Sequence, residues 1–168
     1  MHLYIHAWDP GGTTGYAVLR VHHTQSRPEV LSTHALRHGA FDFAEIGENW
    51  HKVHVQEGSS LHVHVLEKFR LFAGSAQHLI HDDMIAAVRR GCVEYLVAQK
   101  GQAIYYQAPS AMKGFSIGVL QSRLDFSGLV QYPSTVHEWD ALRHGAYFFY
   151  RHLERGTLWA LPPSELEK

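Results

Sequence analysis

Residues 7–19 read Ala7-Trp8-Asp9-Pro10-Gly11-Gly12-Thr13-Thr14-Gly15-Tyr16-Ala17-Val18-Leu19. An apolar run ends in one acid, a glycine-rich turn follows, and a second apolar run begins, which predicts a strand, a tight turn and another strand. Aspartate and glycine are poor strand formers, so Asp9 disturbs the local pattern. We interpret Asp9 as a functional residue and the glycines as room for a close approach to it. The alternative is that Asp9 belongs only to the turn.

The composition is that of one ordinary globular domain. The chain has 168 residues, a formal net charge of -1, 15 histidines and a single cysteine, Cys92. We expect one domain over residues 1–168 with an irregular tail from about residue 157 to 168. Because no apolar run has the length of a membrane span, we expect a cytoplasmic protein without membrane contact. The near-neutral charge counts against nucleic-acid binding unless the basic side chains are grouped.

The order of the predicted elements indicates an α/β fold with a mixed five-stranded sheet flanked by helices. An antiparallel meander of three strands comes first, at His2–Trp8, Gly15–His23 and Glu29–Leu36. Helices and strands then alternate: helix Asp42–Val55, strand Leu61–Glu67, helix Gln77–Gln99, strand Ala103–Gln107, and helices Ser116–Phe126 and Val136–Glu154. Thr135 and Glu138 match a capping box at the start of the last helix.

Apolar spacing predicts which faces of the two long helices are buried. For the helix at 77–99 the expected buried stripe is Ile85, Val88, Cys92 and Leu96. For the last helix it is Trp139, Leu142, Ala146, Phe149 and Leu153.

Acidic residues stand at the ends of two predicted strands and on the last helix. Asp9 and Glu67 each end a strand, and His137 and Asp140 are three residues apart on one helical face. If these side chains meet, their charges repel unless a divalent cation is present. Oxygen ligands suit Mg²⁺ or Mn²⁺, and two such ions can support phosphodiester hydrolysis. Each residue taken alone also fits a turn, a solvated strand end or the first turn of a helix.

Four short motifs together carry a resemblance to a known family. They are Asp9-Pro10-Gly11 with Thr14-Gly15, Leu66-Glu67 followed by Phe69, Gln107-Ala108-Pro109 followed by Lys113, and His137-Glu138-Trp139-Asp140-Ala141. In this order, over about residues 3 to 153, the chain resembles the RuvC-like Holliday junction resolvases of the ribonuclease H-like superfamily. The Gly-Gly-Thr-Thr-Gly turn also resembles bacteriophage members, so a phage origin is expected.

The resemblance implies a fold, an activity and a set of site residues. It implies a ribonuclease H-like domain and a homodimeric, Mg²⁺-dependent endonuclease that cuts four-way junctions and other branched DNA by paired phosphodiester hydrolysis, with Mn²⁺ able to substitute. Asp9, Glu67 and Asp140 would bind the metals, and His137 would fill a place where many relatives carry another acid.

The resemblance also implies residues that contact DNA. Lys113 would contact phosphate or the transition-state charge, and Phe69 or Phe72 would insert beside bases at the junction. Arg70 is one of the basic residues in the middle of the chain that would form a DNA-binding face.

Four other readings stay open from sequence alone. One is a non-catalytic nucleic-acid-binding protein with a ribonuclease H-like fold, and another is an RNA-directed member of that fold. A third is an ATPase of the actin and sugar-kinase type, which needs two such halves where this chain has room for one. A fourth is a zinc protein using His54, His62 and His64, of which the last two share a strand face.

Overall fold

The structure is a computed structural model, and it describes residues 2–37, 60–68, 81–112 and 114–160. In chain order its elements are β1 (His2–Asp9), β2 (Thr14–His22), β3 (Glu29–Leu36), β4 (Ser60–Glu67), α1 (His81–Gln99), β5 (Ala103–Gln107), a 3-10 helix (Pro109–Met112), α2 (Ile117–Arg123) and α3 (Val136–Glu154). The predicted helix Asp42–Val55 and the first residues of the predicted helix Gln77–Gln99 lie outside the described residues. None of the helices in the described ranges is long and apolar enough to cross a membrane.

The five strands form one mixed sheet in the order β3-β2-β1-β4-β5, which confirms the predicted α/β fold class. β1, β2 and β3 make the predicted antiparallel meander, whereas β4 and β5 run parallel to β1. In this register Trp8 pairs with Leu66, and Glu67 pairs with Gln107. The carboxyl ends of β1, β4 and β5 therefore meet at one edge of the sheet, with Asp9, Glu67 and Gln107 side by side.

Strand alternation sends Asp9 to the face of the sheet that α3 covers. Odd-numbered residues of β1, such as Ile5, share one apolar cluster with Leu142 and Phe149 of α3. Even-numbered residues, such as Tyr4, pack in a second cluster with Val93 of α1. Because side chains alternate along a strand, the acid that ends β1 lies under α3 rather than under α1.

Helix α3 begins with the predicted capping box. The backbone N–H of Glu138 donates to the Thr135 hydroxyl, and the Glu138 carboxylate accepts from the backbone N–H of Thr135 and Ser134. Burial favours a higher pKa for Glu138, but these hydrogen bonds and one from Thr33 outweigh it and lower the pKa below its ordinary value. This buried, charged cap fixes where the helix starts relative to the sheet.

The buried stripe of α3 is confirmed at four of its five predicted positions. Trp139, Leu142, Ala146 and Phe149 are buried, but Leu153 is 39% exposed. The chain turns at Gly156, where φ is +64°, and buries Leu158 in the cluster at that end of the helix instead.

The predicted buried stripe of α1 is wrong at Val88, and its other three positions are half-buried rather than fully buried: Ile85, Cys92 and Leu96. Val88 is 64% exposed, whereas Ala86, Val93 and Val97 are buried, the last two in the apolar cluster against the sheet. The helix carries apolar residues around most of its circumference, so its periodicity alone does not distinguish the two faces. The face that meets the β1–β4–β5 side chains is selected by tertiary packing.

Two glycines let α3 approach the sheet closely. A Cβ on Gly15 would lie 1.9 Å from the backbone oxygen of His137, and one on Gly145 would lie 2.5 Å from Cδ1 of Leu19. The first contact is with backbone, so no side-chain movement can relieve it. Gly15 pairs with Asp9 across the hairpin, and its missing side chain therefore sets the first turn of α3 directly beside Asp9.

Gly15→Ala should displace the start of α3 and lower the free energy of unfolding by about 1 to 3 kcal/mol, because the new methyl group overlaps backbone. Chemical denaturation monitored by circular dichroism measures this loss. Gly118→Ala in α2 is the matched control, since a Cβ there meets no atom of the described ranges within 4 Å, and it should change stability by less than about 1 kcal/mol. Equal effects of the two substitutions would contradict the close-approach explanation.

Candidate metal centre

Asp9 and Glu67 form a carboxylate pair at the edge where the parallel strands end. Each is the last residue of its strand, and both are half-buried under α3. The pKa of Asp9 is raised from its ordinary value of 3.8 to about 8, chiefly by burial and then by the negative charges of Glu67 and Asp140 and a hydrogen bond to Glu67. Without a cation, the pair therefore shares a proton near neutral pH.

The first turn of α3 places His137 against this pair. The His137 Nδ1 atom lies 3.4 Å from Oδ2 of Asp9. His137 can lie this close to Asp9 because Gly15 has no Cβ, which leaves room for the backbone carbonyl of His137 beside the hairpin. An imidazole at this distance is placed to donate to the Asp9 carboxylate or to share a cation with it.

Asp140 lies one turn further along α3 and is paired with an arginine. Its carboxylate accepts a hydrogen bond from Arg143, whose Nε–H also donates to the backbone oxygen of Phe115 at 2.9 Å. Asp140 is near enough to raise the pKa of Asp9, but it is directed to Arg143 rather than to the Asp9–Glu67 pair. The arginine holds this acid at the rim of the site.

A second histidine of α3, His144, completes the site and was not predicted from sequence. It is fully buried, with its Nε2 atom 3.2 Å from Oε2 of Glu67 and its Nδ1 atom 3.1 Å from Oε1 of Gln107. The signal was present in the sequence, because residues 137, 140 and 144 follow the i, i+3, i+7 spacing of one helical face. Gln107 likewise extends the row of strand ends begun by Asp9 and Glu67.

The donor set fits a divalent cation. Among the described residues, Asp9, Glu67 and His144 form a group whose ligand atoms all lie within 4.8 Å of one another. Two carboxylates forced together, one with a raised pKa, are the arrangement that a cation stabilises by replacing the shared proton. His137 and Asp140 border this group without belonging to it.

Four predicted DNA-contacting residues lie outside the described residues: Phe69, Arg70, Phe72 and Lys113. Of the three histidines named for an alternative zinc site, the two that the structure describes make contacts within the sheet. His62 contacts Nε2 of His6 through its Nδ1 atom at 3.1 Å, while His64 accepts from Trp8 Nε1–H and contacts Gln102. The third member of that set, His54, lies outside the described residues.

The fold of this chain is identified by its similarity to solved structures. No protein-family model matches the sequence, and no curated protein matches it. Among solved structures, Thermus thermophilus RuvC in complex with a Holliday junction substrate aligns with a TM-score of 0.65 at 16% identity, covering 90% of this chain and 96% of that chain. The chain has the fold of RuvC.

Two further structures agree with the RuvC fold. A second Thermus thermophilus RuvC structure aligns with a TM-score of 0.63 at 17% identity, covering 92% of this chain and 97% of that chain. The Fowlpox virus resolvase in complex with its substrate Holliday junction DNA aligns with a TM-score of 0.58 at 12% identity, covering 88% and 99%. The resemblance to RuvC-like proteins read from four short motifs is thus confirmed for the fold.

In this RuvC fold, the raised pKa of Asp9 predicts how stability varies with pH in the absence of divalent cations. The folded state holds the Asp9 proton more tightly than the unfolded state between about pH 4 and pH 8, so the free energy of unfolding should fall as pH rises through that window. Asp9→Asn removes the charge that must be buried. At pH 8 in EDTA the variant should be more stable than wild type by about 1 to 3 kcal/mol.

Urea denaturation at pH 5 and pH 8, with and without Mg²⁺, measures this effect. Mg²⁺ should stabilise wild type at pH 8, because a ligand that binds only the folded state raises its stability. An identical pH slope for wild type and Asp9→Asn in EDTA would contradict the assignment.

Proposed function

We propose that the chain is a metal-dependent endonuclease that resolves Holliday junctions and other branched DNA. The observation that carries the proposal is the Asp9–Glu67 pair beneath His137 and His144 in a fold shared with RuvC. The matched structures are described as a RuvC with a Holliday junction substrate and a poxvirus resolvase with Holliday junction DNA. A crowded carboxylate pair at a sheet edge fits phosphodiester hydrolysis better than a purely binding role.

Asp9, Glu67, Asp140 and His137 are the residues proposed to hold Mg²⁺, with Mn²⁺ able to substitute. Bound divalent cations supply activation of water and neutralisation of charge on the leaving oxygen. The attack of water on phosphorus would break the bond to the 3′ oxygen and leave a 5′-phosphate and a 3′-hydroxyl.

The protein groups around the pair have roles of their own. His137 is placed to accept or donate a proton at Asp9, and Arg143 orients Asp140 from the far side. Burial under α3 limits the water that reaches Asp9, so charges there interact more strongly than at the surface.

A cationic face on the outer side of α3 offers a place for the DNA backbone despite the near-neutral total charge. Arg123, Arg151 and Arg155 line a cavity of about 460 Å³ with Phe115, Tyr147, Tyr150 and Glu154. The guanidinium of Arg123 lies over the ring of Tyr150, 4.9 Å from its centroid. Arginine with aromatic rings is a common surface for phosphates and unstacked bases.

Asp9→Asn should abolish Mg²⁺-dependent nicking of a synthetic four-way junction while junction binding persists, because the amide keeps the shape but not the charge. A panel of four-way, forked, linear and RNA-containing substrates with Mg²⁺ or Mn²⁺ measures cleavage, and a gel-shift assay in Ca²⁺ measures binding. Undiminished cleavage by Asp9→Asn would sink the nuclease assignment. Cleavage confined to RNA, or binding without cleavage by wild type, would favour the RNA-directed or the non-catalytic alternative.

Paired cleavage requires two sites, and α1 offers a face for a second copy of the chain. Val88 and Tyr95, seven residues apart, are 64% and 65% exposed, and a Cβ on Gly91 between them would lie within 4 Å of no atom in the described residues. An exposed apolar helix face of this kind suits the symmetric contact of a twofold dimer. We propose that α1 pairs with α1 of the second copy.

The double substitution Val88→Glu with Tyr95→Glu should produce monomers, because like charges would face each other across the twofold axis. Light scattering measures the mass, and a cruciform plasmid assay separates paired cuts from single nicks. The control is Val130→Glu, which places the same charge at a fully exposed apolar position away from α1. A dimer that survives the double substitution would place the interface elsewhere.

A further inference from the structure

The ring of His144 faces oxygen atoms at both nitrogens, which is unusual for a neutral histidine. Its Nδ1 atom is 3.1 Å from Oε1 of Gln107, and its Nε2 atom is 3.2 Å from Oε2 of Glu67. A neutral imidazole has one N–H donor and one lone pair, so it can donate to only one of the two oxygens. With Nδ1–H donated to Gln107, the Nε2 lone pair is directed at the Glu67 carboxylate.

His64, on the other face of the sheet, shows how this chain satisfies a neutral histidine. Its Nδ1 atom accepts from Trp8 Nε1–H at 3.1 Å, and its Nε2 atom lies 2.8 Å from Oε1 of Gln102 as a donor. One nitrogen accepts and the other donates, so the ring is complete without a cation. His144 lacks a protein donor among these two contacts.

Gln107 is placed to orient the ring of His144 through a hydrogen bond to its Nδ1 atom. Metal-binding histidines usually donate their second ring N–H to a carbonyl or carboxylate oxygen, which fixes the tautomer and aims the other nitrogen at the metal. Gln107 is buried, ends β5 and is in register with Glu67, so the sheet fixes its backbone and burial confines its side-chain amide beside His144. The same sheet therefore positions both the carboxylate and the group that orients the imidazole.

The distances suit a shared ion. Two ligands at about 2.1 Å from one ion are about 3 Å apart when adjacent and about 4.2 Å apart when opposite. The 3.2 Å between His144 Nε2 and Glu67 Oε2 matches adjacent ligands, and the third ligand atom, from Asp9, completes a group within 4.8 Å.

We propose that Nε2 of His144 is a direct nitrogen ligand of the metal centre, with Asp9 and Glu67, and that Gln107 orients it. This assignment rests on the proposed metal-dependent function and adds a ligand beyond Asp9, Glu67, His137 and Asp140. A nitrogen ligand disfavours Mg²⁺, which takes oxygen ligands, relative to a first-row transition ion such as Mn²⁺, which accepts imidazole more readily. The site is thereby biased towards Mn²⁺.

The test is Mn²⁺ binding to the full chain without DNA, measured by electron paramagnetic resonance of free and bound Mn²⁺. His144→Gln keeps an amide that can donate to Glu67 but removes the imidazole, and it should weaken Mn²⁺ binding about 10- to 100-fold. Competition with Mg²⁺ should show a smaller loss for Mg²⁺. His152→Gln is the matched control, since His152 lies two turns further along α3 and contacts Thr157 rather than the site, and it should leave binding unchanged.

A nitrogen-coupling measurement on bound Mn²⁺ distinguishes ligation from positioning. Because His137 is a second candidate nitrogen, the measurement uses His137→Gln as its background. That variant should retain an imidazole nitrogen signal, and the double variant His137→Gln with His144→Gln should lose it. Absence of the signal in His137→Gln, or wild-type Mn²⁺ affinity in His144→Gln, overturns the proposal and leaves His144 as a hydrogen-bond partner of Glu67.

A second variant keeps the proposal testable if the loss of the buried ring prevents folding. Gln107→Leu leaves His144 in place and removes only its oxygen acceptor, and it should weaken Mn²⁺ binding about 10-fold, whereas Gln107→Glu should restore it. Equal Mn²⁺ affinity of Gln107→Leu and wild type overturns the proposal. If wild type binds Mn²⁺ through His144 but does not cleave junctions, the result contradicts the proposed function and leaves the assignment of His144 intact.

Discussion

The site depends on the close contact between the start of α3 and the hairpin that carries Asp9. Gly15 has no side chain, and the carbonyl of His137 occupies the space that a Cβ would need. The capping box on Glu138 fixes the first turn at that height, and Gly145 allows the middle of the helix to lie on Leu19. With the helix held at both points, the face bearing residues 137, 140 and 144 stands over the ends of β1 and β4.

This arrangement places charge where burial opposes it. Asp9 and Glu67 are brought together by the parallel register of β1 and β4, and the proton that Asp9 holds to about pH 8 reflects the cost of burying them. The apolar clusters on both faces of the sheet offset that cost. Because the two carboxylates would repel each other if both were ionised, a divalent cation that replaced the shared proton would stabilise the folded state.

The framework of the fold is predictable from the sequence because local chemistry determines it. The strand alternation, the glycine-rich turn and the Thr135–Glu138 cap each specify structure within a few residues, and the strands ending at Asp9 and Glu67 followed from them. The face of α1 did not, since that helix is apolar on most sides and only packing against the sheet selects Val93 over Val88. His144 was not predicted because it lies between Leu142 and Ala146 on a core helix, where a histidine does not by itself indicate a metal ligand.

The histidines illustrate why residue type alone could not separate scaffold from site. Two histidines form hydrogen bonds on the face of the sheet that α1 covers. His6 is bonded to Tyr16, and His64 is bonded to Trp8 and Gln102. His144 is equally buried but lies on the opposite face, where its neighbours are a carboxylate and an amide oxygen. A neutral imidazole is satisfied when a hydrogen-bond donor faces one ring nitrogen and an acceptor faces the other. Where oxygen atoms face both nitrogens, one nitrogen has no donor to accept from, and a cation can take that place. That difference is set by which strand ends lie beneath the helix, and it exists only once the sheet has formed.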